Sequence, residues 1–202
     1  MKILIIGSGI AGLQFALNAA EQGHSVTIVT KQSITDTATN LAQGGIAAVF
    51  DSHDNFQKHF EDTLKAGAYH NRKSAVKFMV EHGPEAVLKL RTLGVPFATE
   101  KGTLALTKEG GHSDRRIAFV GDYSGRAIER TLVDRVKKDT NILVLEHAFA
   151  IDLLVKNKTC FGVSVFQKDI IQNLTADATI LASGGLGQIY KYTTNPEVAT
   201  GD

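Results

Sequence analysis

The polar and apolar positions of the chain begin with an unbroken apolar run, Ile3-Leu4-Ile5-Ile6. A run without alternation is the pattern of a parallel strand buried on both faces. The glycine-rich stretch Gly7-Ser8-Gly9-Ile10-Ala11-Gly12 follows it. Leu13–Ala20 is then helical by propensity, with Gly23 placed to end the helix in the left-handed conformation. Ser25–Thr30 reads as a second strand. Strand, glycine turn, helix and strand in this order make a βαβ unit, which is right-handed and lies in a parallel sheet.

From Lys31 to about Phe50 the pattern turns to Ser, Thr, Asn, Gln and Gly, ending in Gln43-Gly44-Gly45. This is far longer than a strand connection needs, and long ordered loops are usually functional. Helices are predicted near 55–66 and 74–82, and a third over 84–93, with Pro84 at its start and Gly94 after it. Thr103–Thr107 is strand-like, Glu109–Ser113 is a turn, and Gly125–Val136 is a helix with Leu132 and Val133 facing inward. Ile142–Leu145, Ala150–Val155, Gly162–Phe166 and Ile170–Leu174 are closely spaced strands, with a turn at Asn157-Lys158, and they predict an antiparallel meander. Ala178–Ala182 is another buried strand, followed by a second glycine cluster, Ser183-Gly184-Gly185-Leu186-Gly187. The expected fold is α/β. Ile3–Ile6, Val26–Val29, Ile142–Leu145 and Ile180–Leu181 form one parallel sheet, and the meander packs beside it as a separate small sheet.

Length and composition narrow this picture. With 202 residues, the prior is one domain carrying an elaborate insertion. Charges balance to +1, so no basic excess argues for nucleic acid. The single Cys160 makes no disulfide framework or thiolate cluster, and the seven His lack paired spacing, so no metal is expected. No apolar run approaches the roughly 18 residues of a membrane span. The pair Ala19-Ala20 superficially suggests a secretory signal, but glycines interrupt the apolar stretch, and the chain reads as intracellular and cytoplasmic. Nineteen Gly against three Pro point to loops where backbone must come close to a ligand.

Gly7, Gly9 and Gly12 fit G-x-G-x-x-G after a strand and opening a helix, the context in which that pattern is informative. Gly7 would allow the tight turn, Gly9 the approach of backbone to a pyrophosphate, and Gly12 close packing of helix on strand. The helix N-terminus offers free N–H groups and the positive end of a dipole to phosphates. The second strand, however, ends Val29-Thr30-Lys31 where an acid would bond the adenosine ribose. A cation there suits ribose oxygens or a 2′-phosphate, so spacing alone leaves NADP, FAD and NAD open.

Five segments in order carry a resemblance that spans nearly the whole chain: Thr39 through Val49 with its Ala42-Gln43-Gly44-Gly45; Glu109-Gly110-Gly111-His112-Ser113 with Arg115-Arg116; Gly121-Asp122-Tyr123-Ser124-Gly125; Ala182-Ser183-Gly184-Gly185; and Tyr192-Thr193-Thr194-Asn195-Pro196, continuing to Thr200-Gly201-Asp202. The chain resembles the flavoprotein family of L-aspartate oxidases, fumarate reductases and succinate dehydrogenases, and its aspartate-oxidising members most closely. The resemblance implies a Rossmann-like FAD-binding domain over 1–202, with a loop and helical insertion at about 31–124. It places Gly7, Ser8, Gly9, Ile10, Ala11 and Gly12 at the pyrophosphate and Lys31 near the adenosine ribose. Ala38, Thr39, Asn40, Leu41, Ala42, Gln43, Gly44 and Gly45 fall along the flavin, and Asp202 contacts the cofactor. Members that attach flavin covalently carry His five residues before the Gln of Ala-Gln-Gly-Gly. Here that residue is Ala38, so FAD is expected to bind non-covalently.

The family also implies chemistry. Glu109 would receive the ammonium of L-aspartate, since a carboxylate attracts an amine-bearing substrate and repels a plain dicarboxylate. His112 is a further substrate-binding candidate, equally suited to bonding backbone in its turn. Arg115 and Arg116 either meet substrate carboxylates or join Asp114 and Asp122 in a surface network, and the structural role is favoured. The implied reaction oxidises L-aspartate to iminoaspartate, with O₂ or fumarate as electron acceptor, ahead of quinolinate synthase in NAD formation. The catalytic Arg is expected beyond Asp202, in capping and helical domains that the family places there, which leaves this stretch alone inactive. Two readings from other classes stand beside this one. They are a soluble fumarate reductase or succinate dehydrogenase flavoprotein and a non-catalytic dinucleotide-binding module.

Overall fold

The computed structural model describes residues 1–201. Residues 1–42 and 128–202 form one compact unit, and residues 43–127 form a second. In chain order the first unit opens with β1 (Lys2–Ile6), α1 (Ile10–Glu21), β2 (Ser25–Val29) and the short α2 (Ala38–Leu41). The second unit carries β3 (Ile46–Ala47), α3 (Phe56–Ala66), α4 (Lys73–Leu93), β4 (Thr99–Glu100), β5 (Thr103–Leu104), β6 (Leu106–Thr107) and β7 (Ile117–Ala118). The division falls within α5 (Ser124–Lys138), after which the first unit resumes with β8 (Ile142–Leu145), β9 (Phe149–Lys156), β10 (Thr159–Gln167), β11 (Ile170–Thr175) and β12 (Ala178–Leu181).

The parallel sheet runs β12-β1-β2-β8, with Ile3 opposite both Ala178 and Val26 and Val26 opposite Ile142. The inner strand β1 is apolar from Ile3 to Ile6 because both of its faces are covered. Gly12 of α1 packs toward Ile5 on one side, while Leu4 and Val29 join Ala148, Val163 and Val165 of the meander segment on the other. The meander is its own sheet, β11-β10-β9, paired antiparallel. Strand membership and direction therefore follow the sequence pattern. One detail differs: β12 is an edge strand, and Leu181 at its end is 64% exposed. An apolar run alone does not separate an edge strand from a central one.

In the second unit, the two helices expected at 74–82 and 84–93 are one continuous helix, α4, with Pro84 inside it. Pro84 removes one helical hydrogen bond. The helix persists because Val76, Val80, Val87 and Leu90 bury one stripe on both sides of the proline. Gly94, at φ 111°, ends it. Thr103–Thr107 is likewise two short strands in different sheets, with β5 paired to β4 and β6 to β7. α3 starts as expected, since the Asn55 side chain accepts from the Lys58 N–H.

Candidate functional site

At the carboxyl ends of β1, β2 and β12 the first unit holds a cavity of about 210 Å³, lined by Gly7–Ala11, Thr30, Lys31, Asp36–Thr39 and Ser183–Gly185 among others. This is where open α/β sheets bind ligands. The glycines shape it in three ways. Gly7 sits at φ +111°, and a Cβ there would lie 2.2 Å from the Ala182 carbonyl oxygen, so β12 leaves it no room. A Cβ on Gly12 would lie 2.1 Å from the Gly7 oxygen, which is the close helix–strand approach expected of it. A Cβ on Gly9 would meet only Thr39 Oγ1, at 3.5 Å. Protein packing does not demand glycine at position 9, and the space it leaves open belongs to the cavity.

The start of α1 is suited to an anion. Gly9 caps it without a side-chain bond, and its first turn carries no acidic residue. The Ile10 N–H bonds Thr39 Oγ1 at 3.1 Å. The amides that follow belong to the first turn, whose N–H groups have no partner within a helix. Ser8 is buried, and its hydroxyl donates to Thr30 Oγ1 at 2.9 Å, so it offers the cavity its backbone. Lys31 Nζ donates to Thr200 Oγ1 at 2.6 Å, which fixes the cation at the end of β2. Ala38, Thr39, Asn40 and Leu41 form α2, of which Ala38 and Thr39 line the cavity, while Leu41 and Ala42 are exposed. The cradle fits a dinucleotide pyrophosphate. Asp202 lies outside the described residues.

Two parts of this wall have no ligand role legible in the sequence: Ser183–Gly185 belongs to a family segment without an assigned contact, and Thr37, which lies between cavity and core, carries no signal because its partner is 92 residues away.

The second unit assembles Gln43–Gly45 with the Glu109–Ser113 turn. A Cβ on Gly45 would strike the Ala118 carbonyl oxygen at 2.1 Å, which is a packing reason for glycine. A Cβ on Gly44 would instead find Glu109 Oε1 at 3.1 Å, so the Glu109 carboxylate lies directly against the Gly44 backbone. Glu109 is exposed, and its carbonyl oxygen accepts from the His112 N–H at 3.3 Å. His112 meets the buried His59 edge to face, with ring centroids 6.5 Å apart, and neither Nδ1 has a hydrogen-bond partner among the described residues. Burial and the nearby Arg116 charge push the His59 pKa below its usual value, against the opposing charges of Asp54 and Asp62.

Arg116 corrects an expectation. It is structural, but it is fully buried and its partners are not Asp114 and Asp122. Its Nε and Nη2 donate to the two carboxylate oxygens of Asp54, both at 2.8 Å, and its Nη1 donates to Asp62 at 2.6 Å. Asp62 also accepts the Ser113 N–H and hydroxyl, at 2.7 and 2.8 Å, which ties down one end of the Glu109–Ser113 turn. Asp114 pairs with Lys58. Helix α3 supplies Asp62, and nothing local to Arg116 reveals a partner that far away in sequence.

A parallel sheet whose first strand passes through a glycine turn into a helix N-terminus, with a cavity at the strands' carboxyl ends, defines a dinucleotide-binding α/β protein. The chain belongs to the FAD binding domain family, whose profile matches residues 2–202, and FAD is its cofactor. It is 45% identical to L-aspartate oxidase 2-b, chloroplastic, of Nicotiana tabacum over 98% of this chain and 32% of that protein. With L-aspartate oxidase 1 of Ralstonia nicotianae it shares 41% identity over 99% of this chain and 39% of the relative. Among solved structures it superposes on a variant of E. coli quinol fumarate reductase FrdA with TM-score 0.94 at 28% identity, covering 98% of this chain and 35% of that one. The Mycobacterium smegmatis Sdh1 complex gives TM-score 0.94 at 29% identity, over 100% of this chain and 37% of that one. The chain thus spans about a third of the length of the relatives it matches. No helix among the described residues is long and apolar enough to cross a membrane.

Proposed function

We propose that the protein is an FAD-dependent L-aspartate oxidase that converts L-aspartate to iminoaspartate. The observation that carries this reading is the Glu109 carboxylate set against Gly44, inside the stretch that the family places along the flavin. An amine-bearing dicarboxylate gains a charge pair there, whereas succinate or fumarate would meet repulsion. The curated relatives named L-aspartate oxidase support the same substrate.

In this reading residues 1–202 build the FAD-binding domain, with about 31–124 as its insertion. Gly7–Gly12 hold the pyrophosphate through backbone amides, Lys31 stands by the adenosine ribose, and Ala38–Gly45 flank the flavin. Asp202 adds a further cofactor contact. The methyl side chain of Ala38 offers no atom for attachment, so FAD is held non-covalently. FAD supplies the hydride acceptor for the substrate α-carbon, and O₂ or fumarate reoxidises it. Glu109 receives the substrate ammonium, and His112 borders the same turn. The product suits a cytoplasmic route through quinolinate synthase to NAD.

Glu109→Gln in the FAD-loaded protein tests the assignment. Peroxide production from L-aspartate should fall while dye-linked fumarate reduction is spared, because only the amine-bearing substrate pairs its charge with Glu109. Equal losses in both assays would mean that Glu109 supports its loop without selecting the substrate.

A further inference from the structure

Glu129 is fully buried in α5, and no step above uses it. Its Oε1 accepts a hydrogen bond from the Thr37 hydroxyl, while its Oε2 is buried with no partner among the described residues. Thr37 Oγ1 in turn accepts from the Asn40 N–H at 3.2 Å and so caps α2. Two residues on, Thr39 Oγ1 accepts from Ile10 N–H, the first amide of α1. Asp36 through Thr39 are cavity wall. Hydrogen bonds at Thr37 and at Thr39, joined by the backbone of α2, therefore link a core carboxyl to the glycine turn, all within the first unit.

Burying a carboxyl with one bare oxygen is costly, and an apolar residue of similar length would fill the same place in α5 without that cost. Holding the Thr37 hydroxyl is what the carboxyl can do and the apolar residue cannot. Burial lifts the Glu129 pKa to about 7, with the Thr37 bond opposing the shift and the Asp36 charge adding to it, so a neutral acid is within reach of ordinary pH.

We propose that Glu129 is a positioning residue for FAD: by fixing the Thr37 hydroxyl it sets the cap of α2, seats Thr39 against α1, and holds the Asp36–Thr39 wall in the shape that receives the cofactor. The inference rests on FAD occupying this cavity.

The test is titration of FAD into the apoprotein by flavin fluorescence, with thermal unfolding of apo and loaded forms alongside. Thr37→Val and Glu129→Leu should each weaken FAD binding about tenfold, and should shrink the rise in Tm on loading more than they lower the apo Tm. The double variant should be no worse than the weaker single, because both break one bond. Thr37→Ser and Glu129→Gln, which keep the hydroxyl and an acceptor oxygen, should restore affinity. If Glu129→Leu fails to fold, Thr37→Val and Thr37→Ser carry the comparison. Unchanged affinity in Thr37→Val, additive losses, or Glu129→Gln no better than Glu129→Leu would each overturn the proposal. Gly9→Val separates it from the site assignment. If Gly9→Val abolishes FAD binding and Thr37→Val does not weaken it, this inference alone fails. If Gly9→Val leaves binding intact, the assignment of FAD to the cavity fails, and this inference with it.

Discussion

The two units bury ionisable side chains on opposite terms. In the second, Arg116 has five donors and finds four acceptor contacts on Asp54, Asp62 and Ser113, with Asp54 as inaccessible as the guanidinium itself. In the first, Glu129 has one hydroxyl for one oxygen and, among the described residues, no partner for the other. A cluster in which every guanidinium nitrogen is engaged, saturated in that sense, holds its surroundings in place. An unsaturated one gives up stability, and here it stands one residue behind a cofactor wall. The contrast assigns structure to Arg116, and it is why Glu129 invites a functional reading.

Breaking the saturated cluster should have the largest effect. Arg116→Met keeps much of the stem but leaves Asp54 buried without its cation, and removing one partner of a buried pair costs about 3–5 kcal/mol. Urea unfolding of the variant should show that loss, and replacing Asp54 with Asn in the same background should recover part of it. A loss under about 1 kcal/mol would mean that water reaches Asp54, and the contrast with Glu129 would collapse.

How far the sequence reveals each unit follows from the range of the forces involved. The parallel sheet was legible because burial on both faces forces unbroken apolar runs, and the phosphate turn because Gly7 and Gly12 face backbone that rejects any Cβ. Glu109 and Gly44 could be paired only through family motifs, since 65 residues separate them. The structural role of Arg116 is as expected, but its partners are hidden for the same reason. Its neighbours Asp114 and Asp122 are the obvious partners in sequence, but α3 brings Asp62 and the turn before α3 brings Asp54. The continuity of α4 was also hidden, because Pro84 is a local signal for a break that the buried stripe overrides.

Asp62 and Glu129 respond to pH in opposite ways. Burial raises the pKa of Asp62, but the Ser113 N–H and hydroxyl and the Arg116 charge outweigh it and hold the group below 3.8. Its contribution is present above that range and is lost as pH falls through the lowered value. Glu129 runs the other way. Its folded pKa is raised from 4.5 to about 7, so the folded state binds more protons between those values and stability declines as pH rises across them. The shift corresponds to about 3 kcal/mol at about 1.4 kcal/mol per unit. Between pH 4.5 and 8 the wild type should lose stability relative to Glu129→Gln as pH rises, read from denaturation midpoints, while the opposite contribution of His59 is common to both proteins and cancels in the difference. Parallel curves for the two proteins would show that Glu129 is solvated.

The smallest effect sharpens the comparison at the turn itself. Asp62→Asn keeps an acceptor for the Ser113 N–H but loses the charge that Arg116 and the Ser113 hydroxyl lean on. Arg116 retains Asp54, so the guanidinium is not stranded, and the expected loss is about 1–2 kcal/mol, that of a weakened charged hydrogen bond. Ser113 is four residues from Glu109, and a slackened turn should let the Glu109 carboxylate drift from Gly44. The KM for L-aspartate in the FAD-loaded protein should then rise a few-fold with a smaller change in FAD affinity, because Gly7–Gly12 belong to the other unit. If FAD affinity fell in step with the substrate effect, the ionic cluster would be supporting the cofactor site too, and the division of labour between the saturated and the unsaturated charge would be wrong.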